Sequence, residues 1–224
     1  MIIKAVIFDL DGTLIDSMSL WRRVDCEFLG SRNIPVPADL FAHLPAGNSF
    51  IQTAQYFKDR FLLPDSVESI MQEWTDMVRH HYETDIELKN GVRELIHLLS
   101  AKGIKIGLGT SNSYELAEKV LSQNGIWHYF QTAVTGDMDV LGKPFPDIYL
   151  RVADNLHVLP QECIVIEDTL SGVRAGKSAG MTVLAIYDQD SEPEMENIKS
   201  AADHFFYDYV ALSNTLEREY LDGK

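Results

Sequence analysis

The run Ile2 to Phe8 is β-branched and almost wholly apolar, which predicts a strand buried on both faces. It stops abruptly at Asp9-Leu10-Asp11-Gly12-Thr13, where two acids and a glycine mark a turn. From Ser17 to about Asp85 the apolar positions recur with helical spacing. Leu20, Trp21, Val24 and Phe28 make one stripe. Phe50, Ile51, Ala54, Phe57 and Phe61 make a second, and Val67, Ile70, Met71, Trp74, Met77 and Val78 a third. Pro35, Pro37, Pro45 and Pro64 fall between these stripes, as breaks between short helices. Beyond Glu87 helix and strand alternate. The pattern predicts helices over 91–101, 113–123, 146–157 and 171–179, and strands over 104–109, 132–135, 163–166 and 181–186. Alternation of this kind implies parallel pairing through crossovers, hence an α/β fold with a doubly wound parallel sheet. An all-helical module over 17–86 is expected as an insertion after the first strand, leaving 1–16 and 87–224 as a discontinuous core domain.

Ligands in such folds bind beyond the carboxyl ends of the strands. Strand 1 delivers Asp9 and Asp11, and strand 2 delivers Thr110-Ser111-Asn112. The loop after strand 3 carries Gly142-Lys143-Pro144, and strand 4 delivers Glu167 and Asp168. Four carboxylates, a hydroxyl cluster and one lysine would meet on one edge. So many acids together are costly unless a cation binds, and a hard divalent ion with oxygen ligands, Mg²⁺ by preference, answers that need. The ion and Lys143 would in turn attract a phosphate.

Net charge is −15, which argues against nucleic acid as a partner, because backbone phosphates need a basic surface. No apolar run approaches the roughly 18 residues that cross a bilayer. The N-terminal apolar segment is short and runs straight into Asp9, unlike a signal peptide, so a cytoplasmic protein with no membrane association is expected. Cys26 and Cys163 stand far apart without metal spacing and read as reduced, structural thiols.

Phe8-Asp9-Leu10-Asp11-Gly12-Thr13-Leu14 resembles the first motif of the haloacid-dehalogenase-like superfamily, and Thr110 after an apolar strand resembles its second. Lys143 in Gly-Lys-Pro-Phe-Pro-Asp and Ile166-Glu167-Asp168 with Gly172 resemble its third and fourth. The helical insert is similar to the small cap of the subfamily that includes β-phosphoglucomutase and many sugar-phosphate phosphatases. The resemblance implies that Asp9 attacks phosphorus to form an aspartyl-phosphate. It implies that Asp11 protonates the leaving oxygen and then activates water. Mg²⁺ would be held by Asp9, the Asp11 backbone carbonyl and Asp168, with Glu167 acting through water. Thr110 with the backbone amides of Ser111 and Asn112 would bind phosphoryl oxygens, and Lys143 would neutralise charge at five-coordinate phosphorus. The substrate implied is a small phosphorylated metabolite, a phosphomonoester such as a sugar phosphate.

Blander readings stand beside these. Asp-x-Asp-Gly can open a calcium loop, but Leu14 and Leu20 occupy the positions of its glycine and bidentate glutamate. Gly107 and Gly109 suit close packing in a strand better than a dinucleotide fingerprint, since Asn112 replaces its third glycine. Thr110 could simply cap the next helix. Trp21 and Trp74 are expected in the core of the insert, His80 and His81 in solvent, and Asp188 to Glu196 in a solvated loop. A haloacid dehalogenase proper lacks the second acid, so Asp11 argues against dehalogenation. The alternatives are a β-phosphoglucomutase-type mutase and a noncatalytic binding protein on the same fold. The mutase would need a cationic second phosphate site, and Leu44 to Phe50 contains no arginine or lysine. The noncatalytic protein would be expected to have lost one of the four charged motif residues.

Overall fold

The computed structural model describes residues 3–40 and 49–221. Six parallel strands form one sheet: β1 (Ala5–Phe8), β2 (Lys105–Gly109), β3 (Thr132–Val134), β4 (Cys163–Glu167), β5 (Thr182–Ile186) and β6 (His204–Phe206), in the order β3-β2-β1-β4-β5-β6. Phe8 pairs with Leu108 on one side and Ile166 on the other, so the sequence order reverses between β1 and β4. That reversal opens a crevice at the carboxyl end of β1.

The uninterrupted apolar character of β1 follows from burial on both faces. Val6 and Phe8 join one core with Ile106, Leu108, Ile164 and Ile166. Helices α4 (Val92–Ala101), α5 (Tyr114–Gln123) and α9 (Tyr209–Leu216) cover that side. Ala5 and Ile7 join the opposite core with Val165 and Val183, under α6 (Asp147–Asn155), α7 (Leu170–Ser178) and α8 (Met195–Ala201). Gly107 and Gly109 sit where β2 passes under α6: a Cβ on Gly107 would lie 2.5 Å from Val152, and one on Gly109 3.0 Å from Tyr149. Close packing is therefore their role.

The three stripes expected between β1 and β2 are the helices α1 (Met18–Ser31), α2 (Phe50–Phe61) and α3 (Val67–Thr84). Their shared core is aromatic. The Trp74 ring meets Phe28 at 5.4 Å, Phe57 at 5.0 Å and Phe50 at 5.8 Å between centroids, all edge to face. Helix α3 also packs along α5, where Arg79 pairs with Glu115 at 3.0 Å and Lys119 with Glu83. Among the described residues, no helix is long and apolar enough to cross a membrane.

Some readings change. The first strand proper starts at Ala5, not Ile2, because Ile3 and Lys4 precede the ladder. The stretch 188–196 is mostly exposed, as expected, but differs at its start and in its backbone. Asp188 is buried and pairs with Lys89 at 2.7 Å, Glu192–Glu194 form a 3-10 turn, and α8 begins at Met195. Strand β6 and helix α9 had no counterpart in the sequence reading. His81 is half-buried and bonded to Asp85 at 2.7 Å, while His80 is exposed.

Candidate active site

The turn after β1 is built by backbone bonds that reverse the chain at once. Leu14 and Ile15 both donate to the Leu10 carbonyl, and Gly12 donates to Ile15 at 3.0 Å. Gly12 has φ +81°, and a Cβ there would meet an Asp168 carboxylate oxygen at 2.4 Å. Glycine is thus required by both conformation and proximity. The turn carries Asp9 and Asp11, and Thr13 Oγ1 donates to Asp168 Oδ1 at 2.7 Å, tying β1 to β4.

Asp9, Glu167 and Asp168 present carboxylate oxygens that all lie within 4.8 Å of one another, and all three residues are buried. Lys143 stands among them, 3% exposed, donating to Asp9 Oδ1 at 2.5 Å and Glu167 Oε1 at 2.6 Å. Glu167 is almost saturated: Tyr149 OH also donates to Oε1, and the Thr169 amide and hydroxyl donate to Oε2 at 2.6 and 3.0 Å. Its visible work is to hold Lys143. Gly172 makes room for it, since a Cβ there would fall 1.7 Å from Glu167 Oε1.

One buried ammonium cannot balance three buried carboxylates. Burial raises the Asp9 carboxyl to about 7, with Glu167 and Asp11 adding to it and Lys143 opposing. Burial, then Glu167 and Asp9, push Asp168 well above the ordinary carboxylate range. Burial alone would lower the Lys143 ammonium, but Asp9 and Glu167 outweigh it and keep it firmly charged. An all-oxygen donor set with surplus negative charge fits a hard divalent cation, which would reverse these shifts.

Asp11 faces away from this cluster, towards the helices. Its Oδ1 accepts from Ser17 Oγ at 2.5 Å, from Trp21 Nε1 at 3.3 Å and from Tyr82 OH, and its Oδ2 from Asn112 Nδ2 at 2.8 Å. Ser17 is the N-cap of α1 yet makes no capping bond, because its hydroxyl serves Asp11. A missing cap costs about 1 kcal/mol. Tyr82 also accepts from Trp21 Nε1 at 2.8 Å and Asn112 Nδ2 at 3.1 Å. Burial first, then Asp11, push its phenol well above the usual range, so it stays a donor.

Thr110 and Asn112 are buried on the loop after β2, and Ser111 is half-buried beside them. The Asn112 amide donates to Thr110 Oγ1 at 3.1 Å, and its side chain goes to Asp11 and Tyr82. The same loop meets α2: Phe50 N–H donates to the Ser111 carbonyl at 2.9 Å. Gly136 permits this approach, as a Cβ there would lie 1.9 Å from that carbonyl oxygen.

A cavity of about 360 Å³ opens beside Asp11, walled by Trp21, Phe50 and Trp74 and floored by Ser111 and Asn112. Trp21 and Trp74 are thus more than core residues of the helices. A larger cleft of about 660 Å³, near Asp16, Asp85 and Tyr187, touches none of the cluster carboxylates, so size alone would misplace the site. Tyr82 and Ser17 carry no sequence signal for this site, whereas Trp21, with Arg22, is expected from the sequence to border the substrate. Of Leu44 to Phe50, the stretch without arginine or lysine, residues 44–48 lie outside the described residues.

Residues 3–180 match the family model of haloacid dehalogenase-like hydrolases. The chain is 32% identical over 178 residues to a phosphorylated carbohydrates phosphatase of Thermotoga maritima, covering 80% of this chain and 82% of that protein. It is 28% identical over 197 residues to hexitol phosphatase B of Escherichia coli (strain K12), covering 87% and 86%. CbbY from Rhodobacter sphaeroides, solved with phosphate, superposes with a TM-score of 0.81 at 25% identity, covering 94% of this chain and 96% of that one. A mutant of CbbY was solved with xylulose-(1,5)bisphosphate. Acid pairs at strand ends, a buried lysine between them and relatives of matching length agree on one placement: the chain belongs to the haloacid dehalogenase-like hydrolases and is a phosphohydrolase.

Proposed function

We propose that the chain is a Mg²⁺-dependent phosphatase that hydrolyses a small carbohydrate phosphomonoester through an aspartyl-phosphate on Asp9. The observation that carries this reading is the buried contact of Lys143 with both Asp9 and Glu167, beside Asp168, at the β1–β4 crevice. Names of relatives support the substrate class: one acts on phosphorylated carbohydrates and another on hexitol phosphates.

Asp9 attacks phosphorus in line, and the bond from phosphorus to the ester oxygen breaks. Asp11 gives its proton to that leaving oxygen, then takes one from the water that attacks the aspartyl-phosphate. Phosphate leaves, Asp9 is restored, and Asp11 again holds a proton. Lys143 offsets the charge that builds on the equatorial oxygens. Thr110 and the backbone amides of Ser111 and Asn112, on the β2 loop, bind the phosphoryl oxygens. Asp9, the Asp11 carbonyl and Asp168 would hold Mg²⁺, which supplies further charge neutralisation. Residues 17–86 act as the cap that shields this chemistry from water, and 1–16 with 87–224 as the core domain.

Phosphate release from a panel of phosphorylated metabolites, with and without Mg²⁺, tests the proposal. Metal-dependent release supports it. Isomerisation of a sugar phosphate without net release would favour a mutase, and inactivity of every substrate would favour a binding protein.

A further inference from the structure

The cavity beside Asp11 is mostly apolar, yet three helices each leave one polar group in it without a protein partner among the described residues. On α1, Met18, Trp21, Arg22 and Asp25 fall on one helical face and line it. The Asp25 carboxyl makes no hydrogen bond or ion pair there, and burial alone raises it to about 7. From the first turn of α2, Thr53 lines the same space with its hydroxyl unengaged. From α3, Trp74 lines it while its Nε1 is buried without an acceptor. Burying polar groups unsatisfied is costly, and native proteins keep few of them. Trp74 Nε1 is such a group, and the half-buried Asp25 and Thr53 face the same cavity from separate helices without a protein partner among the described residues; together they point to an occupant that completes them.

Resting on the phosphatase reading above, we propose that Asp25, Thr53 and Trp74 bind the hydroxyls of an uncharged polyol leaving group, making this site selective for polyol monophosphates over bisphosphates. Asp25 and Thr53 accept from hydroxyls, and Trp74 Nε1 donates to one. The rings of Trp21 and Phe50 supply the apolar walls against which the C–H faces of a polyol pack. Charge excludes a second phosphate. Arg22 is the one cation lining the cavity among the described residues, and it is paired with Asp190. Asp11 and Asp25 face the space as acids and Arg22 is already engaged by Asp190, so a second phosphoryl group would find no unpaired cation among the described lining residues.

The test compares kcat/KM for a hexitol 6-phosphate, for p-nitrophenyl phosphate and for fructose 1,6-bisphosphate. The proteins are the wild type, Asp25→Leu, Thr53→Val, Trp74→Phe and the charge-inverting Asp25→Lys. The expected result is a fall of about ten-fold or more in the hexitol-to-nitrophenyl ratio for the first three, carried mainly by KM. Asp25→Lys should shift preference towards the bisphosphate. Because Thr53 is half-buried and its replacement isosteric, that variant keeps the comparison valid even where Trp74→Phe unfolds. Ratios that stay put across the variants, or a wild type that prefers the bisphosphate, overturn the assignment and leave the phosphatase reading intact. A wild type that releases phosphate from none of the three overturns both.

Discussion

Tyr82, near the end of α3, donates its phenolic hydrogen bond to the Asp11 carboxylate, joining two residues 71 positions apart. The contact carries the helical insert to the residue proposed as acid and base. Tyr82→Phe keeps the ring and removes the donor. We expect kcat to fall about ten- to hundred-fold, by analogy with the loss of other supporting contacts, with a stability loss of about 1–2 kcal/mol. Steady-state kinetics and urea unfolding check both. Unchanged kcat would mean that Tyr82 only packs.

Lys143→Met leaves Asp9 and Glu167 without their ammonium. Breaking a buried pair costs about 3–5 kcal/mol, and turnover should vanish with it. Mg²⁺ would replace part of the lost charge, so the melting temperature of this variant should rise more on adding Mg²⁺ than that of the wild type. Thermal unfolding with and without the ion reads the difference.

Gly172 has no catalytic atom to offer, yet it should be nearly irreplaceable. In Gly172→Ala the new Cβ would overlap the Glu167 carboxylate, which must move and take Lys143 with it. A loss of about 2 kcal/mol or more is expected, together with lost activity. Gly30→Ala, whose Cβ meets nothing within 4 Å, is the matched control and should keep both.

Asp25 provides a pH-dependent stability signature. Burial raises its carboxyl from 3.8 to about 7, so the folded protein binds the proton that the unfolded chain has lost across that interval. Stability from this group is therefore present below pH 4 and is lost as pH rises through 7. Asp25→Asn removes the cost of burying a charge. Its melting temperature should exceed that of the wild type at pH 8, with a smaller gap at pH 5. A gap that widens on acidification would contradict the burial of Asp25. Stabilisation at the expense of substrate binding would also fit a group kept for function.

The cluster was legible because each of its members ends a strand. Asp9 and Asp11 follow an apolar run, Glu167 and Asp168 follow another, and parallel pairing forces those ends onto one edge. Lys143 was legible only through its setting between Gly142 and Pro144. Tyr82 was not, because it sits on a helix whose apolar spacing explains it equally well as core. Only the approach of α3 to α5 and the β2 loop turns its hydroxyl onto Asp11. Asp188 was misread for the converse reason. Its acidic neighbourhood suggests solvent, but its partner Lys89 lies 99 positions away and leaves no local mark. Strand β6 has three half-buried residues, too few for a periodic pattern.

The most direct test of the account is to quench the enzyme in acid during turnover of a phosphomonoester with Mg²⁺ and locate covalent phosphate by peptide mass spectrometry. The account predicts phosphate on Asp9, absent from Asp9→Asn, which should also show no turnover. Turnover that persists in Asp9→Asn, or phosphate found on another residue, would contradict it.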